Sequence, residues 1–148
     1  YWGNWGVPIE DLIWASNYLA ENDVKVLILD DVPDFRLDAQ HCKYRVTLVG
    51  PVRCSEPLEL SQSEQASYFD DLAIVKKTAR SVHIVNSSQY FCGKSECSMV
   101  QGGKLMYFDE NHLNSNGAAY LLAALARDDD FVSRSLKPRE GYAGGQSN

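Results

Sequence analysis

The run "VKVLIL", Val24 to Leu29, constrains the fold of this chain more than any other stretch. It is β-branched and leucine-rich with no sustained polar alternation, the pattern of a strand buried on both faces. Such strands belong to parallel sheets covered by helices. The flanks agree. "VPIEDLIWASNYLAEN" places Ile9, Leu12, Ile13 and Leu19 at helical spacing, with Trp14 and Tyr18 alongside and Pro8 suited to a first turn. "SQSEQASYFDDLAIVKKTARS" reads as a second helix, capped by Ser61 or Ser63, with Phe69, Leu72, Ala73 and Val75 as its apolar stripe. "VHIVNSS" is a second short strand. A last helix is expected from about Ser115 to Arg127, with Asn114 as N-cap and Leu121, Leu122 and Leu125 on one stripe.

This alternation is that of an α/β domain. Between its elements lie two excursions. Residues 31 to about 61 hold three prolines, two cysteines and no sustained period, so a long irregular loop is expected there. "QYFCGKSECSMVQGGKLMYFD" reads as hairpin-like, turning at Gly102-Gly103 before Leu105 to Phe108. Two strands make a narrow sheet for three helices, and the chain opens on the aromatic "YWGNWG". Further strands are therefore expected upstream, with residues 1–132 the C-terminal portion of a domain and the polar 133–148 a flexible tail. A sheet edge left exposed in this way suits dimerisation or strand exchange.

Twenty acidic residues against fourteen basic ones give a net charge of −6, with no basic stripe to meet a phosphate backbone. Nucleic acid is excluded as a partner. Lys76, Lys77 and Arg80 read as a solvated helix face. No apolar run reaches the ~20 residues of a membrane span, and no signal peptide opens the chain. The four cysteines, Cys42, Cys54, Cys92 and Cys97, form no C-x-x-C and match no usual zinc spacing with His41 or His83. An even count at local spacings favours disulfides over free thiols or metal, hence an oxidising compartment, with three connectivities open. In the chain-entropy model a Cys92–Cys97 loop is worth roughly 2 kcal/mol and a Cys42–Cys54 loop about 3.

The chemistry concentrates in "YFDENHLNSNGAAYLLAAL", residues 107–125. In D-x-x-H, Asp109 and His112 share one turn. Asp109 can accept from His112 Nδ1–H and leave Nε2 for a nucleophile's proton, the acid–base half of a triad. A bare D-x-x-H is more often a surface turn; the residues around it tip the reading.

"FDENHLNSNGAAYL" resembles the last block of the SGNH hydrolases: Asp-x-x-His, then Leu, Ser or Asn, and a Gly-Ala helix start. It is closer still to the SGNH domains fused to membrane-bound acyltransferases that O-acetylate bacterial surface polysaccharides. "KVLILDDVPDF", the cysteine loop "QHCKYR" and the run "FCGKSECSMVQGGKLMYFDENHL" are similar to segments of that subgroup, so the resemblance spans residues 1 to about 132. It implies a three-layer α/β/α, flavodoxin-like parallel sheet, with His112 the base and Asp109 its orienting carboxylate. It implies no metal or organic cofactor. Asn4 would take the oxyanion-hole position, although "GNW" departs from the family's Gly-x-Asn-Asp.

The family's nucleophile lies in a Gly-Asp-Ser block after the first strand, and no Gly-Asp-Ser occurs here. Ser87 and Ser88 are the nearest geometric substitutes, better read as turn residues. The N-terminal strand and nucleophile block are expected to be missing, and the chain alone to be inactive. Trp2 and Trp5 are candidate sugar contacts; packing is the favoured reading of both and of Trp14. His83 reads as a partly buried strand histidine and His41 as an ordinary loop histidine.

The expected function of the full-length parent is O-acyl, chiefly acetyl, transfer to or removal from a cell-surface polysaccharide. Its partners would be a carbohydrate acceptor, an acyl donor and a membrane acyltransferase domain in the same chain, on the periplasmic side of the membrane. The alternative is a non-catalytic carbohydrate-binding or interaction module with a degenerate triad.

Overall fold

A computed structural model describes residues 8–44 and 53–136. Asn4, Trp2 and Trp5 lie outside these residues, as does most of the polar stretch after 132. The helix α1 spans Ile9–Glu21 and the strand β1 Val26–Leu29; α4 (Ala66–Thr78) leads to β3 (Val82–Val85). β1 and β3 pair in parallel, Val26 opposite Val82 through Leu29 opposite Val85. Alternate side chains of a strand face opposite sides. Val26, Ile28, Val82 and Ile84 pack with Ile9, Leu12 and Ile13 of α1 and with Tyr68, Leu72 and Val75 of α4. On the other face, Val85 packs with Leu125 of α5 (Ser115–Asp128) and Val132 of α6 (Asp130–Ser135). Helices thus cover both sides of the parallel pair, the layered α/β arrangement expected.

Several expectations are corrected. β1 begins at Val26 and is buried on one face only: Leu27 is 36% and Leu29 47% exposed. On that face Val85 of β3 is the strand residue that packs with α5 and α6 in the buried core. The edge of β1 away from β3 carries no strand among the described residues. Trp14 is exposed and stacks on Tyr18 rather than packing inward. It follows Ile13 by one residue, about 100° round the helix from the inward stripe. In α4 the buried stripe uses Tyr68 where Ala73 was expected, and in α5 it uses Gly117, Ala124 and Leu125 while Leu122 is exposed.

Residues 31–61 are more regular than their prolines suggest. They contain α2 (Ala39–Tyr44), β2 (Ser55–Pro57) and the start of α3 (Leu58–Glu64). α3 begins before Ser61, so Ser61 lies buried inside it and caps nothing; α4 starts after Gln65, without a side-chain cap. β2 pairs antiparallel with β4 (Glu96–Ser98), and β5 (Val100–Gln101) turns through Gly102 and Gly103, both at positive φ, into β6 (Lys104–Leu105). Disulfides join Cys42 to Cys54 and Cys92 to Cys97, both local pairings. Around them the excursions build their own core of Phe35, Ala39, Phe91, Met99, Met106 and Tyr107. Tyr107 meets Phe35 and Phe91 edge-on, at centroid distances of 5.0 and 5.6 Å.

Asn114 caps α5 as expected. Three residues on, Gly117 brings the helix against the chain it follows: a Cβ there would lie 2.1 Å from the Met106 carbonyl oxygen. Backbone cannot yield as a flexible side chain would. Gly117→Ala should therefore destabilise by about 2 kcal/mol or more, although alanine is the better helix former by about 1 kcal/mol. Urea denaturation of the two proteins checks this; equal midpoints would refute the close approach.

Candidate active site

The segment after β6 bridges Tyr107 to Leu113 and closes a tight turn, with Phe108 N–H donating to the His112 carbonyl at 2.7 Å. Asp109 fills this turn. Its Oδ1 accepts from the backbone N–H groups of Asn111 (3.0 Å) and His112 (2.7 Å), the local bonding that aspartate favours at turns. The same carboxylate straddles the His112 ring, with Nδ1 at 3.0 Å from Oδ1 and 2.9 Å from Oδ2. A carboxylate only accepts, so Nδ1 carries the hydrogen and Nε2 is the acceptor nitrogen. No described residue bonds Nε2, and the imidazole is 74% exposed. Burial pushes the Asp109 carboxyl up. The N–H groups of Asn111 and His112 and the His112 ring outweigh this and hold it below the usual carboxylate range.

The turn is held from both sides. Asn114 accepts from Asn116 and Gly117 N–H through Oδ1, and its Nδ2 donates to the carbonyls of Leu105 and Tyr107 at 2.9 and 3.0 Å. From the other side Phe35 N–H donates to the Glu110 carbonyl at 2.9 Å, and Gln40 Nε2 to that of Phe108 at 3.1 Å. The segment leaving β1 therefore abuts the Asp-x-x-His turn. The carboxyl ends of parallel strands are where sites of α/β sheets collect.

That segment carries acids the sequence reading passed over. Burial raises Asp30 to about 6, against the opposing bonds from Ser87, whose backbone N–H donates to Asp30 Oδ1. Burial, with the neighbouring Asp31 and Glu64 charges, also raises Asp34 to about 6. The Tyr107 phenol is pushed far up, by burial first and then by Asp31 and Asp34, and neither its hydroxyl nor Asp34 Oδ1 has a partner among the described residues. The available signal was "DDVPD", three carboxylates in five residues directly after a buried strand.

Neither Ser87 nor Ser88 is bonded to His112. Ser87 is wholly buried, and Ser88 Oγ donates to the Asp31 carbonyl at 3.1 Å. His83 Nε2 pairs with Asp129 Oδ2 at 2.7 Å and its ring stacks on Phe131, while His41 is exposed in α2 beside the disulfide-bonded Cys42. Among the described residues no group of three or more His, Cys, Asp and Glu is placed to hold a metal, and no helix is long and apolar enough to cross a membrane.

Residues 15–127 match the model of a family described as the SGNH domain fused to AT3 domains. The chain belongs to this SGNH family. The match takes in both strands of the parallel pair and the whole Asp109–His112 turn, and membership carries an acyltransferase- or esterase-type role. No curated protein and no solved structure matches the chain.

The buried acids of this SGNH domain have a measurable consequence. An unfolded aspartate titrates near 3.8, whereas folded Asp30 keeps its proton up to about 6. The folded state binds the extra proton between those values, so Asp30 lowers stability progressively as pH rises from about 4 to about 6, and fully above that. Asp30→Asn, which keeps an oxygen for Ser87, should stabilise the protein at pH 8 by up to about 3 kcal/mol and lose the advantage near pH 4. Denaturant midpoints across that range check it; a difference constant with pH would refute it.

Proposed function

We propose that this chain carries the acid–base half of a site for O-acyl transfer, with His112 as general base and acid and Asp109 as its orienting carboxylate. The observation that carries the reading is the carboxylate astride His112 Nδ1 with Nε2 open. In the reaction a serine hydroxyl attacks the acyl carbonyl and His112 Nε2 takes its proton. The imidazolium, held against Asp109, then protonates the leaving alcohol. An acceptor sugar hydroxyl reverses these steps on the acyl-serine, and water in its place makes the same site an esterase.

No Gly-Asp-Ser occurs in the 148 residues, so in this reading the nucleophile is a serine outside them. Asn4 and backbone amides beside that serine would stabilise the oxyanion, and Trp2 and Trp5 would meet the sugar. Family membership supports a parent with a membrane acyltransferase domain in the same chain. The two disulfides support a periplasmic setting. The acyl group is acetyl, the acceptor a surface polysaccharide, and the edge of β1 away from β3 a pairing surface.

The test is glycan O-acetylation in cells expressing the native reading frame. His112→Ala and Asp109→Asn should each lower the transfer rate by roughly 10³- to 10⁴-fold, the scale on which triad members act. The purified 148-residue chain should hydrolyse p-nitrophenyl acetate no faster than its His112→Ala variant. Acetylation undiminished in His112→Ala cells would sink the proposal in favour of a non-catalytic binding module.

A further inference from the structure

At the carboxyl end of β3 a cleft of about 250 Å³ opens between α3, the start of α4 and the 3₁₀ turn Ser88–Tyr90. Not one of its lining side chains is charged, in a chain where charged residues make up 23%. Four primary amides line it instead: Gln62, Gln65, Asn86 and Gln89. Gln65 is buried at the back, its Nε2 fixed on the Val32 carbonyl at 2.9 Å. Asn86 spends Oδ1 on the Gln89 N–H at 3.2 Å. No hydrogen bond among the described residues engages the Asn86 NH₂ or the side chains of Gln62 and Gln89. Leu58 and Phe69, both half-buried, supply the apolar part of the wall, and the Cys92–Cys97 disulfide stiffens the rim.

This lining selects its ligand by elimination. A phosphate, carboxylate or amine would lose water here without meeting an opposite charge, and a purely apolar ligand would strip water from the amides. An extended peptide seeks a ladder of backbone partners, whereas these walls are side chains. A sugar ring has hydroxyls that both donate and accept, as amides do, and an apolar C–H face for the Phe69 ring.

We propose that this cleft is a subsite for one neutral sugar residue of a glycan. As the docking point of the acceptor it rests on the acyl-transfer reading, but the binding itself does not need His112. It adds a site built from α3, α4 and the β3 turn to the Asp109–His112 turn, with an uncharged lining that favours neutral over uronic or sialic residues.

The test is a titration of the ¹⁵N-labelled 148-residue chain, following the side-chain NH₂ signals of Gln62, Asn86 and Gln89. The probes are methyl glycosides of glucose, galactose, mannose, rhamnose and N-acetylglucosamine, against methyl galacturonate glycoside as free acid and tetraglycine. At least one neutral glycoside should give saturable shifts in the millimolar range. The double variant Gln62→Ala/Gln89→Ala, altered only at exposed positions, should bind it about tenfold more weakly with its backbone spectrum otherwise preserved. His112→Ala should bind it unchanged. Silence from all five glycosides, an equal response to the acid or the peptide, or undiminished binding by the double variant would overturn the proposal. Such a failure leaves the His112 reading standing, and undiminished acetylation in His112→Ala cells leaves the binding result standing.

Discussion

The geometry of the candidate site depends on one side chain that is itself not reactive. Asn114 makes four hydrogen bonds with one amide: its oxygen takes two N–H groups from the first turn of α5, and its nitrogen gives to two carbonyls of the preceding extended segment. The first pair satisfies helix donors that have no intrahelical partner. The second pins the extended segment flat against the helix end. Gly117 then lets the two backbones approach to a distance no side chain would permit. Between the pinned segment and the helix the chain has only the residues of Asp109 to Leu113 in which to reverse, and the aspartate's turn bonding closes that gap.

Because a carboxylate three residues before it takes His112 Nδ1–H, the tautomer of His112 is set by local chain geometry. The bonds from Asn111 and His112 N–H to Asp109 form within the turn itself, and the ring contact follows from the same placement. Such a device works without burial, which accounts for an imidazole both highly exposed and fixed at Nδ1. In the proposed site the chemistry falls to the open Nε2, and the fold's task is to aim the turn. The bonds from Phe35 and Gln40 to this turn tie it to the segment that leaves the parallel sheet.

This locality also explains what was legible in the sequence. The Asp-x-x-His pair, the Asn114 cap and the Gly102-Gly103 turn are each determined within a few residues, and each formed where the residues indicated. The two strands and the last helix follow from short-range pattern as well, whereas the cysteine count indicated disulfides but left their connectivity open. Apart from the start of β1 and the Ser61 cap, the misreadings are long-range. Whether Leu27 and Leu29 are covered depends on what packs on the second face of β1, and Leu122 and Trp14 are set by which side of a helix meets a neighbour. α3 hid in a proline-rich stretch because its stability comes from packing under β2 and β4, not from periodicity. Asp30, Asp34 and Tyr107 acquire their character from burial, with Ser87 against Asp30 and Asp34 near Tyr107, which no linear motif encodes.

The charge pattern at the carboxyl ends of β1 and β3 follows from the same division between local and distant forces. The loop leaving β1 gathers carboxyls against one another, and burial raises two of them toward neutrality. The turn leaving β3 faces a cleft from which charge is absent altogether. Ser88 and Gln65 join the two regions by bonding to the carbonyls of Asp31 and Val32, so the uncharged wall and the acidic loop share one stretch of backbone. That loop bonds in turn to Glu110, between Asp109 and His112. The cleft and the Asp109–His112 turn are thus joined through one stretch of chain, Asp31 to Phe35, with hydrogen bonds at each end.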